Sequence, residues 1–124
     1  MNYNIFLDNE KIGTSLLEKA DPPMGVVSGQ IIFTEKPLTF DFLSKYCIDN
    51  GIKTEEDAEH KFISTQTIPT LKVINETGIE IHGVGCYMEG FGSDPMEICI
   101  IGIPYPFYQE EFPHHRKAYD DQFR

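Results

Sequence analysis

The alternation in TLKVINETGIEIHG, residues 70–83, constrains the fold more than any other stretch of the chain. Leu71 and Val73 share one side, Ile79 and Ile81 share one side with Glu80 and His82 opposite, and Glu76 to Gly78 offers a polar break. A period of two belongs to half-buried strands, so two such runs about a glycine-bearing turn predict an antiparallel hairpin.

The same period recurs near the start. YNIFL (Tyr3 to Leu7) and IGTSLLE (Ile12 to Glu18) flank the polar DNEK and predict a second hairpin. In ADPPMG, Pro22 and Pro23 preclude ladder hydrogen bonds and Gly25 permits a sharp turn into VVSGQIIFT, a strand from Val26 to Thr34. Gly29 within it marks a bulge or a close backbone approach. MEICIIG is almost continuously apolar from Met96 to Ile101, as a buried strand requires.

One stretch changes period. In TFDFLSKYCIDNG, Phe40, Leu43, Tyr46 and Cys47 recur at helical spacing, and Asn50 with Gly51 is a stop signal, which predicts the main helix over about 38–50. Thr54, three residues before Asp57, has the form of a capping box and predicts a short exposed helical turn. These elements sum to an α+β fold: a mainly antiparallel sheet of six or seven strands with the helix on one side. With 124 residues, 40% of them hydrophobic, the chain suits a single domain. Its expected division is a body over 1–103 and a C-terminal arm over 104–124.

Charge narrows the partners. The chain carries 20 acids and 10 bases, and between residues 73 and 115 Glu76, Glu80, Glu89, Asp94, Glu97, Glu110 and Glu111 meet no Lys or Arg. Such a field repels phosphate backbones and favours a cationic partner, so nucleic acid is not an expected ligand. No run approaches the ~20 apolar residues that cross a bilayer, and MNYNIFLDNEK lacks the flank of a signal peptide. The expectation is a cytoplasmic protein with no membrane association. Three cysteines without CxxC pairing, Cys47, Cys86 and Cys99, fit a reducing compartment better than a disulfide framework or zinc knuckle.

Several chemistries meet geometric objections. GVGCYMEGFG lacks the strand-before, helix-after context of a phosphate loop. Along one continuous strand His82 and Cys86 would lie about 13 Å apart, too far for proton transfer. Cys47 and Cys99 read as buried apolar groups. No catalytic residue and no cofactor is therefore assigned.

The arm, GIPYPFYQEEFPHHRKAYDDQF, holds the remaining candidates. Pro113 fits a helix start, which predicts a short helix through HHRKAYDDQF and leaves Glu110 and Glu111 in extended chain. His114 and His115 are the candidate metal ligands, but adjacent helical residues project about 100° apart and need a third ligand from elsewhere. The aromatics of this proline-stiffened segment suit packing across the sheet, and with the acids they also suit an interface. Expected partner contacts are Glu89, Asp94, Glu97, Tyr105, Phe107, Tyr108, Glu110, Glu111 and Phe112.

The stretches ADPPMGVVSG, NETGIEIHG and GIPYPFYQEEFPHHRKAYDDQF resemble those of a group of small uncharacterised bacterial proteins, over nearly the whole chain. That resemblance implies a bacterial, cytosolic single domain and carries no activity, cofactor or catalytic residue. Three functions stay open. The first is a non-enzymatic acidic binding protein of the immunity type, neutralising a basic toxin partner. The second is a metal-binding or hydrolytic enzyme using His114 and His115 with Glu110 and Glu111. The third is a structural or homo-oligomeric accessory protein.

Overall fold

The computed structural model describes residues 1–35, 37–91 and 96–123. β1 (Tyr3–Leu7) and β2 (Glu10–Ser15) form the first hairpin, closed by Asp8 and Asn9 at φ 52° and 68°. Two successive left-handed residues match the twist of the flanking strands, and Asp and Asn tolerate that conformation best after glycine. The turn is thus the Asp8–Asn9 pair, and β2 begins two residues earlier than the apolar pattern suggests.

β2 ends because the chain leaves its sheet. Ser15 Oγ accepts a hydrogen bond from Leu17 N at 3.1 Å, and Leu17, fully buried, takes φ 46°. A left-handed leucine is strained, so the packing and hydrogen bonding around it must hold the corner. β3 (Lys19–Asp21), a single 3-10 turn over Pro22–Met24 and β4 (Val26–Gln30) follow in a second sheet. The strand expected over Val26 to Thr34 is split: Ile31, buried with its N–H on Met96 O at 2.8 Å, carries the chain back, so that β5 (Ile32–Phe33) pairs with β2. Gly29 proves to be a close approach, for a Cβ there would sit 2.9 Å from Leu17 Cα.

α1 (Phe40–Asp49) is the expected helix, started by Thr39, whose hydroxyl accepts from Phe42 N at 3.1 Å. It buries Phe40, Leu43 and Cys47. The capping-box reading of Thr54 is corrected: β6 (Thr54–Asp57) is an edge strand paired with β7 (Phe62–Thr65). Tertiary pairing overrides the local signal, and Asp57 instead caps the turn by accepting from Glu59 N and His60 N. Three consecutive acids, Glu55 to Asp57, suit an exposed edge that must not recruit another strand.

β8 (Leu71–Ile74) is followed by a turn organised on Asn75 Oδ1, which accepts from Thr77 N, Thr77 Oγ1 and Ile79 N. The return arm of this predicted hairpin is one bridge, Ile74 to Glu80, not a strand; regular structure resumes at β9 (Gly85–Phe91) and β10 (Glu97–Ile101). The fold is α+β as expected, but its strands divide between two antiparallel sheets, ordered β5-β2-β1-β8 and β3-β4-β10-β9-β7-β6. One core joins them: Ile5 and Val73 from the first, Val27, Ile63, Met88, Ile98 and Ile100 from the second, and Leu43 from α1.

The arm completes that core. α2 (Phe107–Glu111) places Glu110 and Glu111 on a helix, where extended chain was expected, and α3 (Pro113–Asp121) starts at Pro113 as anticipated. Tyr108 and Phe112 are fully buried, and the Phe112 ring lies 5.6 Å from that of Tyr3 and 5.4 Å from that of Tyr108. Tyr108 Oη donates to Val26 O at 2.9 Å, which keeps a buried hydroxyl satisfied. We expect Phe112→Ala to lower the free energy of unfolding by about 3–5 kcal/mol. Urea denaturation measures this, and a loss below about 1 kcal/mol would show that the arm does not belong to the core.

Candidate functional site

Strand register places every second residue of the six-stranded sheet on the side away from the core. One row across the strands reads Glu55, Ser64, Glu89, Glu97, Gln30. A parallel row reads Asp57, Phe62, Phe91, and on the other side runs Tyr87, Cys99, Ser28, Lys19. Hydrogen bonds agree with the register: Ser64 Oγ donates to Glu89 Oε2 at 3.1 Å, and Lys19 Nζ meets Glu97 Oε2 at 2.5 Å. α1 lies on the core side, where Ser44 bonds Glu56, and α2 and α3 pack at the end of the sheet. No described helix covers the outer face.

Glu89 and Glu97 stand directly opposite each other on β9 and β10. Like charges in that position destabilise a sheet. Lys19 is the nearby relief: Glu97 first, then Glu18 and Glu89, raise its pKa. Glu89 has no ion pair among the described residues. Asp94, the third acid expected in this group, lies outside the described residues.

The other expected contacts separate from this face. Tyr108 and Phe112 are interior. Glu111 is a latch: its Oε2 accepts from Tyr3 Oη and its Oε1 from Asn75 Nδ2, each at 3.0 Å, tying α2 to β1 and to the turn after β8. Burial and the Glu111 carboxylate both raise the pKa of Tyr3. Phe107 packs against the core, whereas Tyr105 stays 40% exposed with its hydroxyl on Pro22 O and the Arg116 guanidinium over its ring. Glu110 is exposed on α2.

The histidine pair meets a similar fate. His115 donates Nε2–H to Leu17 O at 2.7 Å, and so helps hold the strained corner at Leu17. The His114 ring lies 4.1 Å from that of His115, and burial, then His115, lower its pKa. Among the described residues no third ligating side chain converges on them. Among the described residues the one grouping of three metal-ligating side chains is Asp57, Glu59 and His60, all exposed in the β6–β7 turn, with atoms within 4.8 Å of one another. Asp57 already caps that turn and meets His60 Nδ1 at 2.7 Å, which lowers its pKa.

The chain over 81–84 is not a strand, and His82, Glu80 and Cys86 all line one cleft of about 170 Å³ with Thr67 and Lys72. Sharing a cleft does not make the thiol a nucleophile. Burial above all, then Cys99 and Glu80, push its pKa up to about 12, and His82 Nδ1 is engaged with Glu80 at 3.2 Å.

The chain matches no protein-family model, no curated protein and no solved structure.

Two outcomes follow from this geometry. Desolvation disfavours the Cys86 thiolate, so iodoacetamide at pH 8 should modify the Cys86 peptide much more slowly in native protein than in urea. Equal rates in the two states would contradict a desolvated, neutral thiol. Glu89→Gln removes the cross-strand repulsion and keeps an acceptor for Ser64, and should raise the free energy of unfolding by about 0.5 kcal/mol. A lower urea midpoint would mean that the pair is not repulsive.

Proposed function

We propose that this chain is a non-enzymatic binding protein that docks the outer face of its six-stranded sheet on a basic protein, as an immunity protein covers a toxin. The observation that supports this most directly is the opposed Glu89–Glu97 pair on an uncovered sheet. Apposing two carboxylates costs about 0.2–1 kcal/mol, and a cationic surface placed over them returns that cost as affinity. Glu55, Asp57 and Asp21 extend the negative rows on the same side, and Lys19 is the base that pairs with Glu97 there. Complementary charge also steers encounter and rejects acidic competitors. Tyr87, Phe62 and Phe91 supply the aromatic area that interfaces favour.

The purified product of the neighbouring reading frame is the first partner to test. Its association rate should fall at least about tenfold between low and physiological salt. The Glu89→Lys, Glu97→Lys double variant should associate about tenfold more slowly at low salt, with a flattened salt dependence. Salt-independent association, or an unchanged rate in the double variant, would remove this face from the reading; no association and no protection would remove the reading itself.

A further inference from the structure

Gln30, Phe62, Glu89, Gly90, Phe91 and Glu97 line a hollow of about 390 Å³ on the outer face. Its two halves differ in chemistry. Phe62 and Phe91 are cross-strand neighbours with ring centroids 5.1 Å apart and planes inclined at 45°, and Phe91 is 42% exposed. Glu89 lies two residues before Phe91 on the same strand, a separation of about 7 Å, and Glu97 faces it. Aromatic rings therefore form one wall and opposed carboxylates the other.

Few side chains satisfy both walls. An aliphatic group would leave the carboxylates without a cation, and an acid would be repelled. An ammonium adds a point charge, which Lys19 already supplies to Glu97 Oε2. A guanidinium is planar, stacks on aromatic faces, is weakly hydrated and presents N–H donors in a fork that two carboxylate groups can share.

Resting on the docking reading above, we propose that this hollow receives an arginine side chain of the partner protein. Its guanidinium plane lies against the exposed Phe91 ring with Phe62 at its edge, and its donors divide between Glu89 and the side of Glu97 that Lys19 does not hold. The hollow thereby anchors the centre of the docking face, where buried arginines and aromatics concentrate binding energy.

The test titrates Nα-acetylarginine methylamide into the full chain and follows amide shifts, with the citrulline analogue as the uncharged control. Shifts should centre on residues 30, 62–64, 89–91 and 97, with a dissociation constant on the order of 1 mM. Glu89→Gln and Phe91→Ala, both at solvent-facing positions, should each weaken binding about tenfold while the rest of the spectrum stays native. Shifts elsewhere, affinities untouched by both variants, or equal binding of citrulline would overturn the proposal. The docking reading fails separately: arginine binding here without any basic partner leaves the hollow standing, whereas salt-sensitive partner association that Phe91→Ala leaves unchanged removes the hollow and keeps the face.

Discussion

The contact on which the rest depends is the insertion of Tyr108 and Phe112 between the two sheets, locked by Glu111. Here α2 and the residue that follows it close one end of the interior, Tyr108 from the helix and Phe112 just beyond it. The aromatic rings supply apolar area while the carboxylate fixes their depth, since Tyr3 Oη and Asn75 Nδ2 each donate to one of its oxygens. Asn75 in turn accepts three hydrogen bonds from the turn that follows β8. The last helices thus organise a turn more than thirty residues earlier in the chain.

Closure at that end leaves the opposite surface available. The described helices pack on the core side or at the end of the sheets, so none of them covers the outer face of the six-stranded sheet. Its composition is not what stability alone would select. A sheet relieved of the Glu89–Glu97 apposition would be more stable, and sites that conflict with local rules are where function is expected. The cysteines and the histidine pair show no comparable conflict: Cys47 and Cys99 are buried, desolvation raises the pKa of the partly buried Cys86, and His115 is engaged with a backbone carbonyl.

Much of this was legible in the residues. Period two and the single helical stretch gave the α+β class, and Asn50 and Pro113 marked helix boundaries to within a residue or two. Register was not legible. Nothing local says that Ile31 moves the chain between sheets, and so one strand was expected where there are two. Nor could spacing reveal that Phe62, nearly thirty residues from Phe91, would stand beside it. Glu89 and Glu97 were identified from the absence of bases around them, whereas Glu55 and Gln30 were missed because their rows exist only across strands. The internal hydrogen bonds of Glu111 could not be read from spacing, because its partners Tyr3 and Asn75 are 108 and 36 residues away.

The alternation of side chains across each strand also bears on how such a protein changes over generations. Met88, Ile98 and Ile63 hold the interior, while Glu89, Glu97 and Ser64, each an immediate chain neighbour of one of them, face outward. Substitutions at the outward set change the chemistry of the surface and leave the apolar contacts of the interior in place. Surface character and core packing can therefore vary separately along the same strands.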